Sequence, residues 1–289
     1  MKLLNKNAII TGGNQGFGLA VAEAFMKEGA NVLICARDNK KLLEAVSYLQ
    51  PFLVRENQLH SLKTDIANYK DCMALADFVE KQFSKVDILV ANAGIYGPKG
   101  IIENVDWEEW SNAIDINLKG TVMTCRAIIP LMKKQNYGKV IILSGGGATK
   151  PMPGLSAYAV SKAAVVRFGD TLAEEVKEFN IDVNTIAPGA LNTRLLDEIL
   201  NSGPEKVGKV FYEQSVKQKE NGGIPLEKGA NLCVYLGTEE SDGITGKLIS
   251  VLWDPWQNFA EYKQLLRTTD IYTLKRIVPE DRGLNWALK

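Results

Sequence analysis

The chain has 289 residues, 46% of them hydrophobic, and its 34 lysines and arginines balance 34 aspartates and glutamates. That length and apolar content suit one large α/β domain with appendages, and the charge balance leaves no global field to draw the chain to nucleic acid or to an anionic membrane. The expected partner is a small-molecule substrate read at a local site.

The four cysteines, Cys35, Cys72, Cys125 and Cys233, lie far apart without a CxxC, three of them inside apolar runs. Read as buried, reduced thiols, they make the cytoplasm the expected compartment. The opening MKLLNKNAIIT has too short an apolar run for a signal peptide, and no later segment reaches a membrane-spanning length, so a soluble chain is expected.

Seven short apolar or β-branched runs read as strands: NAIIT (7–11), NVLICA (31–36), LHSLK (59–63), DILVAN (87–92), KVIILS (139–144), DVNTIA (182–187) and KLISVL (247–252). Between them lie patterns such as GLAVAEAFMKEG and KDCMALADFVEKQF, whose apolar residues recur at three and four positions, as amphipathic helices require. Alternation of this kind predicts a parallel sheet covered by helices on both faces. After Leu252 the alternation stops, and a tail over 253–289 begins with WDPW and holds three of the five tryptophans.

The first strand runs into TGGNQGFG, placing Gly12, Gly16 and Gly18 where a strand turns into a helix. Without side chains the backbone can approach a phosphate, and a helix N-terminus offers free N–H groups and partial positive charge. An ordinary glycine-rich turn would read the same way. Further along come ANAG (91–94), Asn117 in NLKG, Ser144, YAVSK (158–162) and APGALNT (187–193). In this order, over about residues 5–252, the motifs resemble those of the short-chain dehydrogenase/reductase family.

The resemblance implies a doubly wound, Rossmann-type domain over 1–252, a nicotinamide dinucleotide at the carboxyl ends of the strands, and hydride exchange between a ketone and a secondary alcohol. It carries the cofactor site onto Gly12, Asn14, Gln15, Gly16, Phe17 and Gly18 of the turn, and onto Pro188 and Gly189. Asp65 and Ile66 take the position beside the adenine. Asn92, Ala93 and Gly94 line the inner edge, and Thr193 reaches the nicotinamide amide. At the end of the second strand Ala36 stands where an acidic ribose ligand is expected, and Arg37 follows with a guanidinium suited to a 2′-phosphate, which favours NADP(H) over NAD(H). NAD(H) stays open: Arg37 could be a solvated arginine capping the next helix, Asp38 a substitute ribose ligand, and Gln15 replaces a basic residue that many NADP-dependent relatives carry.

The chain has one histidine, His60, far from every motif, so neither a histidine acid nor a metal site has candidate residues. Tyr158 is left as the proton donor. Lys162, one helical turn on, could supply about 4 kcal/mol of attraction across about 4 Å and lower the Tyr158 pKa by as much as about three pH units. The resemblance adds that Lys162 binds the nicotinamide ribose, that Asn117 holds a water linking Lys162 to solvent, and that Ser144 hydrogen-bonds the substrate oxygen. The family serine precedes the tyrosine by 13 residues; Gly145 occupies that offset and Ser144 lies 14 away, so Ser144 serves if the following GGGATKPMPG carries a one-residue insertion.

Substrate choice is expected in three stretches: IYGPKGIIENVDWEEW, GGGATKPMPG and a charged, lid-like segment at about 189–224. Glu205, Lys206, Lys209 and Glu213 in that lid, with the tail tryptophans as stacking surfaces, suggest a polar, sugar-derived substrate. The tail reads as a subunit contact or as a cover for the active site, and the resemblance implies a homodimer or homotetramer. A non-catalytic dinucleotide-binding regulatory or scaffold protein is the alternative, disfavoured by the joint presence of Asn117, Ser144, Tyr158 and Lys162.

Overall fold

The structure, a computed structural model, describes residues 1–54 and 56–286. From β1 (Asn7–Thr11) the chain enters α1 (Gly16–Lys27), then β2 (Asn31–Ala36), α2 (Asn39–Leu49) and β3 (Leu59–Lys63). Helix α3 (Tyr69–Gln82) crosses back to β4 (Ile88–Ala91), and α4 (Trp107–Ile114) and α5 (Thr121–Gln135) lead to β5 (Gly138–Leu143). Helix α6 (Ser156–Val176) precedes β6 (Ile181–Ala187). Four helices, α7 (Arg194–Ser202), α8 (Pro204–Val207), α9 (Lys209–Glu220) and α10 (Leu226–Gly237), separate it from β7 (Lys247–Ser250), and α11 (Lys263–Thr268) lies in the tail.

The seven strands form one sheet in the order β3-β2-β1-β4-β5-β6-β7, and every pairing is parallel. Successive strand residues point to opposite faces, so both faces need apolar cover. Ile10, Ile34 and Val90 pack with α1 and α10, whereas Ile9, Leu33 and Leu89 pack with α3 and α5 on the other side. Helix starts follow local chemistry: Asp38 accepts from the Lys41 N–H at 3.1 Å and Asn68 from the Lys70 N–H at 2.9 Å, each satisfying a donor the helix leaves open. All four cysteines are free and buried.

The sequence places all seven strands to within two residues. The last is shorter than expected, because Asp254 turns back to accept the Ser250 N–H at 2.6 Å. Beyond it the tail folds against the sheet. Trp256, Phe259 and Leu266 join the core on the α1 and α10 face, and the Leu248 N–H donates to the Tyr272 carbonyl at 2.7 Å, covering part of the β7 edge. Trp253, by contrast, is 85% exposed. Among the described residues no helix is long and apolar enough to cross a membrane.

Candidate active site

Strand order reverses between β1 and β4, so the loops leaving them diverge and open a cleft of about 650 Å³ along the carboxyl ends of the sheet. Every residue that the sequence assigns to the site lines this cleft except Asn117, which is buried behind it.

At the centre of the cleft the turn after β1 is shaped by crowding as much as by φ. Gly16 has φ +55, and a Cβ on Gly18 would lie 2.4 Å from both the Gly12 carbonyl oxygen and Asn92 Nδ2. Asn92 Nδ2 donates to the Thr11 carbonyl at 2.9 Å, while Thr11 Oγ1 accepts the Asn92 and Ala93 N–H groups at 3.0 and 3.1 Å. These bonds tie the end of β4 to the glycine turn. The Gln15 side chain makes no capping bond to α1, so the first-turn N–H groups stay available to an anion. Across the cleft Thr193 would stand 3.4 Å from a Cβ on Gly16. This cradle, which side chains at Gly12, Gly16 or Gly18 would fill or strain, fits the pyrophosphate of a dinucleotide. Phe17 contributes backbone only; its ring is buried against Gly229 of α10.

At the β2 end Ala36 is buried and Arg37 exposed, and both line the cleft. Asp38 is committed to capping α2, so the cap is the aspartate and not Arg37. Lys41 also lines this end, a second cation that the sequence reading missed; its spacing of four from Arg37 was the available signal. Asp65 turns its Oδ1 to the Ala67 N–H at 3.0 Å, which fixes the loop carrying Ile66.

At the other end the helix after β4 is interrupted by a wide π-helical turn, Asp115–Gly120, an irregularity often found at functional sites. It presents Asn117, whose Oδ1 accepts the Ile95 N–H at 2.8 Å and whose Nδ2 donates to the Ile95 carbonyl at 2.8 Å and to Ser161 Oγ at 2.9 Å. Asn117 thereby clamps the β4 loop to α6, with both amide N–H donors engaged. On α6 Tyr158 and Lys162 stand one turn apart, with Lys162 Nζ 5.7 Å from the phenol ring centre. The ammonium donates to the Leu143 carbonyl at 2.7 Å, and a Cβ on Gly94 would approach it to 3.4 Å.

Two sequence expectations change here. Ser144 is buried and donates its hydroxyl to the Lys162 carbonyl at 3.1 Å, holding β5 against α6, whereas Gly145 faces the Tyr158 hydroxyl. The expected lowering of the Tyr158 pKa is also reversed. Burial, followed by the neighbouring Tyr96, pushes the phenol well above its ordinary value, and burial draws Lys162 down to about 8. Desolvation penalises both charged forms and outweighs the attraction expected between them.

The three stretches expected to choose the substrate do converge, but in a buried apolar cluster, of which Tyr96 and Tyr158 alone also line the cleft. Leu155, Ile199 and Val207 form a buried cluster against which Tyr96, Met152, Tyr158 and Phe211 pack. Tyr96 and Tyr158 meet edge to face with ring centres 4.5 Å apart. Glu205, Lys206, Lys209 and Glu213, on which a polar substrate was expected, are exposed on α8 and α9.

The profile of a family described as short chain dehydrogenase matches residues 6–202. A curated relative, "Dehydrogenase/reductase SDR family member 4" from Caenorhabditis elegans, is 32% identical over 246 residues, which cover 85% of this chain and 93% of the relative. Among solved structures, NAD+-bound xylitol dehydrogenase superposes with a TM-score of 0.78 at 23% identity, covering 86% of this chain and 98% of the other. The RhlG/NADP active-site complex of Pseudomonas aeruginosa gives 0.75 at 24% identity, covering 86% and 95%. At those identities the two structures bear on the fold alone.

Proposed function

We propose that this chain, which belongs to the short-chain dehydrogenase/reductase family, is an NADP(H)-dependent oxidoreductase that interconverts a ketone and a secondary alcohol, with Tyr158 as acid and base. The observation that carries this reading is the half-buried Tyr158 beside the buried Lys162 at the inner end of a glycine-edged cleft. When bound, the dinucleotide supplies or accepts the hydride. Gly12, Gly16, Gly18 and the open N–H groups of α1 would hold its pyrophosphate, and Asn92, Ala93, Gly94 and Thr193 would border its nicotinamide half. Arg37 and Lys41 at the β2 end, with Asp38 spent on a helix cap, support a 2′-phosphorylated ribose.

In the reductive direction Tyr158 would give its proton to the substrate oxygen, and burial keeps that proton in place until it is needed. Lys162 would stabilise the phenolate left behind, and Asn117 would hold α6 and the β4 loop in register. Ser144, bonded to the Lys162 carbonyl, is assigned the support of Lys162, with a hydrogen bond to substrate only if its hydroxyl rotates. The homo-oligomer remains part of the proposal, with Val160, 52% exposed on α6, as one face available for contact.

The test is to titrate the purified protein with NADPH and NADH, following nucleotide fluorescence, and then to follow nicotinamide absorbance over a panel of ketones. Tighter NADPH binding with turnover of at least one ketone is expected. Nucleotide binding without any turnover would favour a regulatory or scaffold role.

A further inference from the structure

We propose that Tyr96 is a second hydrogen-bond donor to the substrate oxygen, set beside Tyr158 in the cleft. This deepens the oxidoreductase reading and rests on it for the identity of that oxygen. Around Lys162, at the inner end of the cleft, the hydroxyl-bearing side chains are Tyr96, Ser144 and Tyr158. Ser144 spends its hydroxyl on the Lys162 carbonyl, and Gly145, at the offset from Tyr158 where a serine was expected, has none to offer. The two phenols remain. Among the described residues neither Tyr96 nor Tyr158 has a hydrogen-bond partner for its hydroxyl, and neither hydroxyl is sealed from solvent as that of Tyr235 is. Their rings meet edge to face with centres 4.5 Å apart, and Tyr96 is the neighbour whose charge acts on the Tyr158 phenol. A carbonyl oxygen has two lone pairs and accepts two donors at once. Two open donors on one cleft suit an oxygen that gains negative charge as hydride arrives.

The charges around the two phenols divide the work between them. Lys162 Nζ stands 5.7 Å from the Tyr158 ring centre and favours the phenolate that proton transfer leaves behind. Lys99 Nζ stands at nearly the same distance, 5.8 Å, from the Tyr96 ring centre, but it is paired with Glu198 at 3.0 Å, and Arg194 pairs with the same carboxylate. Burial, followed by Glu198, pushes the Tyr96 pKa up to about 12. Tyr96 therefore keeps its proton and acts by hydrogen bonding alone, while Tyr158 gives its proton up.

The test compares the full wild-type chain with Tyr96→Phe, which deletes the hydroxyl and keeps the ring against Tyr158. Cyclohexanone, acetophenone, hydroxyacetone and 2,3-butanedione are the probes. Their affinities are measured by calorimetry with NADP+ present, and kcat with NADPH by nicotinamide absorbance. Expected are a kcat lower by about a hundredfold, the usual effect of removing one donor to a developing oxyanion, and ketone affinity weaker by about fivefold. NADPH affinity and the melting temperature should stay near wild type. The fall of kcat/KM through about pH 8 should keep its place, because Lys162 is untouched.

A loss in kcat or in ketone affinity alone still puts the hydroxyl on the substrate oxygen. Equal kcat and equal ketone affinity in the two proteins would overturn the second donor, as would the failure of all four ketones to bind. A matching loss of nucleotide affinity or of stability would make Tyr96 a packing residue and overturn it too. Conversely, ketone affinity that falls in Tyr96→Phe, with no turnover by the wild type under either nucleotide, would sink the oxidoreductase reading and leave the pair of donors standing.

Discussion

The Tyr158 hydroxyl lies against the backbone of Gly145, so closely that a single Cβ on that glycine would stand 2.4 Å from it. A real Cβ cannot sit there unless the ring moves. Gly145→Ala should therefore displace the Tyr158 ring and, if Tyr158 is the proton donor, lower kcat for ketone reduction by at least about tenfold, since misplacement by about 1 Å can cost a hundredfold. Nucleotide affinity should hold. A variant with full activity would show that the Tyr158 ring occupies another position during turnover.

Arg37 and Lys41 line the β2 end of the cleft together. If they receive a 2′-phosphate, Arg37→Ala should weaken NADPH about tenfold or more, the usual size of a lost charge-assisted hydrogen bond, and leave NADH unchanged. Lys41→Ala should act in the same direction. Paired titrations of the two nucleotides decide the matter, and an unchanged preference in both variants would remove the NADP(H) assignment.

Burial disfavours the Lys162 ammonium, drawing its pKa from the ordinary lysine value down to about 8, so the group is charged below that pH and neutral above it. Tyr158 moves the opposite way and keeps its proton across the working range. On the proposed roles, reduction needs the proton on Tyr158 and the charge on Lys162. Its kcat/KM should accordingly be level at low pH and fall as pH rises through about 8. Lys162→Arg should carry any remaining activity to higher pH before it falls. A wild-type profile level to about pH 10, where a free phenol titrates, would contradict the assignment.

At the opposite end of the sheet Lys139 is buried, with its Nζ 2.6 Å from both Asp182 and Asp242. Burial, the larger influence, already raises the Asp182 pKa in spite of that lysine. Lys139→Met would leave the carboxylate buried and without its cation, and should cost about 3 kcal/mol of stability. Chemical denaturation reads this out. Nucleotide affinity, set at the far ends of the strands, should not change, and adding Asp182→Leu should restore much of the loss.

The strands were legible because parallel, doubly covered strands are apolar along their whole length, as in NVLICA and KVIILS, and a glycine turn punctuates the first crossover. The glycine-edged part of the cleft was legible for a related reason: Gly12, Gly16, Gly18 and Asn92 are dictated by backbone approach, which local sequence records. The packing of the lid helices was not. Tyr96, Leu155 and Val207 meet only through the tertiary fold, and each looks like ordinary core when taken alone. Ser144 misled for the same reason: spacing from Tyr158 ranked two neighbouring residues at the strand end, but which of them faces the phenol is a matter of strand alternation and of the Lys162 carbonyl waiting on the other side. The direction of the Tyr158 pKa also needed depth of burial, which pair spacing does not contain.

The role of Tyr158 is tested most directly by Tyr158→Phe, which deletes one oxygen and keeps the ring packed against Tyr96. With Tyr158 as proton donor, kcat should fall by at least about a hundredfold, within the range that general acid catalysis contributes, while NADPH affinity and the melting temperature stay near wild type. A variant that retains most of its turnover, or that loses turnover and nucleotide binding in equal measure, would contradict that role.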